Sequence, residues 1–238
     1  MVAPTVNAFG QPTGVALPDW QPRPRPQRIT LQGRYCRLEP LDASRHASDL
    51  SAAHAQAADD RSWTWLPVER PASQHEWLTF AAACQHTPDY LHFAVIDLQR
   101  GQAVGTLALM RIEPQHGVME VGYVVFSPLL QRTRMATEAH FLLMAYAFDQ
   151  LGYRRYEWKC DSCNQPSRQA ALRLGFQPEG VFRQAMVYKG RSRDTCWFSV
   201  IDSDWPVLKH AFERWLAPDN FSADGAQRER LETLRQRD

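Results

Sequence analysis

Apolar and polar positions change their period several times along this chain. Residues 35–41 alternate as a strand that Pro40 closes. Asp42 or Ser44 then opens a helix that runs to about Ala57. Residues 59–70 form a loop holding Trp63, Trp65 and Pro67. Ser73 with Glu76 three residues later is a capping box for a second helix, to about Gln85. β-Rich runs at 91–97 and 103–112 flank a turn at 99–102 and predict a hairpin. A tight turn at 115–117 leads into a third strand, 118–126, which Pro128 stops. A long helix follows over 134–151, with Phe141, Leu142, Ala145 and Phe148 at helical spacing and Gly152 at its end. Next come a short strand at 155–160 and a helix at 164–174 closed by Gly175. Two strands at 181–188 and 194–201 turn at Gly190, and Asp204 caps a last helix to about Leu216.

The predicted order is β-α-α-β-β-β-α-β-α-β-β. Hairpins alternate with βαβ crossovers, so the class is α+β with a mixed, mostly antiparallel central sheet flanked by helices. Residues 1–28 carry Pro4, Pro12, Pro18, Pro22, Pro24 and Pro26, which exclude an ordinary helix or a central strand. They read as an arm, part of it a strap anchored by Phe9, Leu17 and Trp20. Residues 29–217 form the domain. Residues 218–238 are a polar, arginine-rich tail, partly helical or disordered.

At 238 residues and 44% hydrophobic, the chain has enough apolar material for a core without metals or disulfides. The 27 basic residues balance 26 acidic ones, which gives no general reason to expect nucleic-acid or membrane partners. Five scattered cysteines exclude a disulfide framework. The Cys160-x-x-Cys163 pair lacks the second pair that a zinc site needs, so no metal is expected. No apolar run has the length of a membrane span and no signal peptide is visible, so the expected compartment is the cytoplasm.

Three segments carry candidate chemistry. The strand 118–126 runs through Ser127-Pro128 to Gln131-Arg132-Thr133-Arg134-Met135-Ala136-Thr137. A strand, a short loop and a helix start make an anion site, because free N–H groups point outward there. Arg132 and Arg134 would add charge; a surface loop with solvated arginines is the plainer alternative. Asn164 and Ser167 open the helix closed by Leu174-Gly175-Phe176, and either can cap it. Glu120 interrupts an otherwise apolar strand. It either faces water or sits in a cleft with a raised pKa that suits a general base.

Together these segments resemble the GNAT acetyltransferases over roughly residues 30–200. Gln131-x-x-Arg134-x-Ala136 is similar to the family's Gln/Arg-x-x-Gly-x-Gly/Ala pyrophosphate loop, with Arg134 in place of the central glycine. Asn164-x-x-Ser167 followed by Leu174-Gly175-Phe176 resembles the signature of the RimJ/RimL-like branch, as does Glu157-Trp158-Lys159-Cys160-Asp161. Asn7-x-Phe9-Gly10-Gln11-Pro12-x-Gly14 resembles a segment that precedes the domain in some members.

The resemblance implies direct transfer of an acetyl group from acetyl-CoA to a primary amine, at a protein N-terminus or on a small molecule. It assigns the base to Glu120, with Glu157 in reserve. It makes the Val124, Val125 and Phe126 backbone the donors to the thioester oxygen. The pyrophosphate falls to residues 131–137, and the pantetheine arm to Asn164. The family's frequent acid, a tyrosine, is replaced by Ala171, which leaves Ser167 as hydrogen-bond donor or water relay. The Cys160 and Cys163 thiols have no adjacent histidine to activate them. Trp63, Trp65, Trp77 and Tyr90 either border the acceptor cleft or anchor a loop to the core. A non-catalytic CoA-binding regulatory or interaction module is the alternative, and the oligomer implied is a monomer or homodimer.

Overall fold

A computed structural model describes residues 5–236. The strands are β1 (Thr5–Val6), β2 (Pro12–Thr13), β3 (Leu31–Gln32), β4 (Cys36–Pro40), β5 (Leu91–Asp97), β6 (Gln102–Glu113), β7 (Val118–Phe126), β8 (Arg155–Asp161), β9 (Gln177–Tyr188) and β10 (Arg191–Ile201). The helices are α1 (Ala43–His54), α2 (Gln74–Gln85), α3 (Arg134–Ala145), α4 (Gln165–Leu174), α5 (Trp205–Leu216) and α6 (Leu231–Arg235). β1 and β2 pair with each other in the arm. The other eight strands form one sheet in the order β3-β4-β5-β6-β7-β8-β10-β9. Every neighbouring pair is antiparallel except β7 and β8. This is the mixed α+β sheet read from the sequence.

Local chemistry sets the helix ends. Asp42 accepts from the Arg45 N–H at the start of α1, and Ser73 from the Glu76 N–H at the start of α2. The α2 cap is reciprocal, since Glu76 reaches back to the Ala72 N–H at 2.8 Å. Gly175 ends α4 with φ +98°, and a Cβ there would lie 2.5 Å from Leu208. Only glycine meets both constraints. The helix expected over 134–151 is α-helical to Ala145 and closes through one π-helical turn, Tyr146–Gln150. β9 and β10 begin several residues earlier than the alternation suggests, and β3 lies in a stretch that carries no strand signal.

The sheet has two covered faces. α1 and α2 lie on one, over Leu41, Leu50, Trp63, Trp77, Ala94 and Ile96. α3 and α5 lie on the other, over the larger cluster that holds Phe93, Leu107, Met119, Tyr156, Phe198 and Phe212. Residues 20–30 run across the domain. The Trp20 indole N–H donates to the Gln115 carbonyl at 2.9 Å, and the Gln27 N–H to the Tyr146 hydroxyl at 2.8 Å. After residue 217 the chain packs back, with Leu231 and Leu234 buried and Arg235 against the Leu172 carbonyl. Among the described residues, no helix is long and apolar enough to cross a membrane.

One carboxylate fixes α3 to the sheet. Glu138 is buried, and its two oxygens accept the backbone N–H groups of Arg34, Tyr35 and Cys36 at 2.8, 2.7 and 2.8 Å. The turn between β3 and β4 has no other partner for these donors, so the carboxylate replaces a strand neighbour. Glu138→Ala is expected to cost about 3 kcal/mol, because three backbone N–H groups, the Cys36 one buried, lose a charged acceptor. Urea unfolding measures this, and a loss under about 1 kcal/mol contradicts it.

Candidate active site

Two bulges shape the centre of the sheet. Thr106 pairs with Val125 but Ala108 with Gly122, so β7 carries one extra residue around Tyr123, whose φ is +48°. The bulge flips the alternation of β7. Before it, Met119 and Val121 face α3; after it, Val125 faces α1 and α2 while Val124 and Phe126 turn towards α3. A second bulge at Arg111, φ +46°, lies in β6 opposite Met119. The parallel pairing of β7 with β8 runs from Val118–Arg155 to Val121–Trp158 and stops there. Beyond Val121 the two strands splay, and the backbone of 123–126 has no strand partner on that side.

Glu120 lies in the last paired stretch, on the face opposite α3. It is 5% exposed and sits beside Glu157 in the parallel register. Lys159 bridges the two carboxylates, with Nζ 2.8 Å from Glu120 and 2.7 Å from Glu157. The Arg111 bulge brings its Nε to 3.4 Å from Glu120. The Lys159 ammonium also lies 3.7 Å from the centroid of the Trp197 ring. Burial raises the Glu120 pKa; Lys159 and Arg111 draw it back, and the neighbouring Glu157 charge adds to the rise. Burial also acts upward on Glu157, but hydrogen bonds from Lys159 and Arg155 outweigh it and hold that carboxyl below its usual value. The two acids therefore separate, and Glu120 is the one poised to take a proton.

At the other side of the splay, Asn164 caps α4 by accepting the Ser167 N–H at 3.1 Å. The Trp158 indole N–H donates to the Ser167 hydroxyl at 3.0 Å. This uses one of the two Ser167 lone pairs, and the hydroxyl also lies within hydrogen-bonding reach of the Cys160 thiol. The loop 127–133 leads into α3. Thr133 caps that helix through the Ala136 N–H at 3.2 Å, and Gln131 donates to the Phe126 carbonyl at 2.7 Å. Arg132 has φ +60° and is exposed. The first turn of α3 thus faces the loop with unpaired N–H groups.

Some residues do not point where the sequence suggests. The Arg134 guanidinium does not reach over the loop; it stacks on Tyr35 at 4.2 Å and Phe221 at 5.4 Å. Only the backbone of Arg134 stays at the helix start. Thr137 is buried and accepts a hydrogen bond from Arg173 at 3.0 Å. Trp63 and Trp77 are core residues, packed with His54 and Phe80. Tyr90 instead joins His92 and Tyr123 near the bulge. Among the described residues, no cluster of three or more His, Cys, Asp or Glu is placed to hold a metal ion.

The description "Acetyltransferase (GNAT) domain" matches residues 37–177. The chain belongs to the GNAT acetyltransferase family. A GCN5-related N-acetyltransferase from Brucella melitensis superposes with TM-score 0.90 at 50% identity, over 92% of this chain and 100% of that one. A probable GNAT acetyltransferase from Chromobacterium violaceum gives 0.76 at 41%, over 82% and 98%. A Salmonella typhimurium acetyltransferase, described as modifying the N-terminal serine of ribosomal protein L7/L12, shares the fold at 0.61 and 20% identity, over 73% and 99%. The chain is thus an acetyltransferase.

Within this GNAT site the sequence did not reveal the partners of the candidate residues: Arg111 and Lys159 for Glu120, and Trp158 for Ser167. One signal was present. The chain has three lysines among 27 basic residues, and one of them, Lys159, alternates with Glu157 inside a strand.

Burial also keeps three histidines neutral. It pushes His54 and His92 down to about 4 and His140 to about 3, with Arg70 adding to the effect on His54 and Arg173 to that on His140. Unfolded, each protonates near the ordinary 6.5. Their stabilising contribution is complete above that pH and is lost as pH falls through the folded values. Unfolding free energy is expected to fall between about pH 6 and pH 4.5, with a slope approaching 4 kcal/mol per pH unit from the three groups. A flat urea-unfolding profile over that interval contradicts it.

Proposed function

We propose that this GNAT acetyltransferase moves the acetyl group of acetyl-CoA to a primary amine by direct attack, with Glu120 as base and Ser167 as donor to the leaving sulfur. The observation that carries this reading is Glu120: a carboxylate 5% exposed, its pKa raised by burial, one residue before the parallel pairing ends. The fit to the cosubstrate rests on two features. The first turn of α3 offers unpaired N–H groups to a pyrophosphate. The splay beyond Val121 offers an extended arm backbone partners at 124–126.

Bound acetyl-CoA supplies an acyl group activated as a thioester. The chain's own residues do the rest. The unpaired N–H groups among Val124–Phe126 are donors to an oxygen that gains charge. Glu120 accepts the proton that the amine must lose, directly or through water, and Lys159 and Arg111 hold the carboxylate in place. Ser167, oriented by Trp158, turns its hydroxyl from the Cys160 thiol to the leaving sulfur. Asn164 holds the start of α4. Arg132, exposed beside the loop, adds a charge that Arg134 does not.

The acceptor approaches on the Glu120 face, where the ladder of ion pairs meets Trp197, and Phe182 packs on that ring. This supports a free peptide N-terminus or a small amine. Calorimetry with acetyl-CoA, joined to a CoA-thiol release assay over a panel of peptides and small amines, tests the reading. With the best acceptor, Glu120→Gln is expected to lower kcat by about 10²–10⁴-fold, and Ser167→Ala by about tenfold. Both variants should keep the acetyl-CoA affinity of the wild type. Binding without thiol release from any amine would favour the non-catalytic module, and no binding would overturn the reading.

A further inference from the structure

His140 has no role in the account so far, yet it occupies the mouth of the splay. It projects from α3 and is 4% exposed. Its ring lies 5.7 Å from Phe126, the last residue of β7, and 5.1 Å from Trp158, the last residue of β8 that pairs with β7. The imidazole thus spans the two strands at the point where they separate. Its Nδ1 is buried and has no hydrogen-bond partner. Trp158, against which it packs, orients Ser167. One turn earlier on α3, Thr137 is held by Arg173.

An unmet buried ring nitrogen is costly, and among the described residues no group hydrogen-bonds to it. Phenylalanine would fill the same aromatic wedge with no such cost. Histidine is therefore explained by a partner that arrives from outside. The wedge lies beside the gap between β7 and β8, where strand pairing has ended. An amide carries both a donor and an acceptor, so it satisfies Nδ1 in either tautomer. The low pKa keeps the ring neutral across the working range, which suits an uncharged amide and not a phosphate.

We infer that His140 is a binding residue for the pantetheine arm, its Nδ1 hydrogen-bonded to one of the arm's amides. The inference rests on the acetyl-CoA reading above and adds a contact from α3 to it. His140 is a positioning residue for the cosubstrate and does not act on the reacting atoms.

Calorimetry on the full chain tests it with two probes, acetyl-CoA and the nucleotide half of CoA that lacks the arm. His140→Phe is expected to weaken acetyl-CoA about five- to tenfold and to leave the nucleotide unchanged. Its melting temperature without ligand should equal or exceed that of the wild type, since an unmet polar group is removed. His140→Asn places an amide near the Nδ1 position and should recover most of the loss; it also carries the test should the Phe variant fail to fold. Equal acetyl-CoA affinity in wild type and His140→Phe would overturn the inference. So would an equal loss for both probes, which would mark a general distortion. A wild type that binds neither probe would instead remove the acetyl-CoA reading itself.

Discussion

The site depends on one interruption of hydrogen bonding. β7 and β8 pair in parallel for four residues and then separate, because the extra residue near Tyr123 bends β7 and reverses its alternation. Without it, β7 would continue beside β8 and the backbone of 124–126 would be consumed by a neighbour. With it, the sheet keeps a closed lower half that buries Glu120 and an open upper half with free backbone groups. Glu120, the free backbone groups of 124–126 and Ser167 then lie around a single gap.

The groups around that gap are held by polar contacts that the apolar core does not provide. Lys159 sits between two carboxylates, and an arginine stands beyond each of them, Arg111 and Arg155. Such a ladder spends charge on positioning, since buried ion pairs contribute little net stability. It also keeps Glu157 ionised while burial raises Glu120. α3 supports the same gap from behind. Glu138 ties it to the β3–β4 turn, Thr133 opens it at the loop, and His140 wedges it between the splayed strands. One helix thus carries three constraints on the site within two turns.

The fold was largely legible because its strands alternate, its caps are conventional and its breakers are glycines and prolines at element ends. Asp42, Ser73 and Gly175 each act as their residue type suggests. The candidate site was legible as a set of segments but less so as contacts. Strand alternation gave Glu120 its place, yet nothing local in sequence encodes that Arg111 reaches it, because a bulge decides that aim. Arg134 reads as a phosphate ligand by charge and position. Two aromatic rings, one of them from the packed-back tail, take its guanidinium instead. His140 reads as an ordinary helix residue until the splay is seen.

A crystal structure with acetyl-CoA bound tests the central claim most directly. The account requires the pantetheine arm to lie between β7 and β8 beyond Val121, with the pyrophosphate at the first turn of α3 and the sulfur near the Ser167 hydroxyl. A cosubstrate bound elsewhere, or strands that close over the gap and leave the 124–126 backbone paired within the chain, would contradict it.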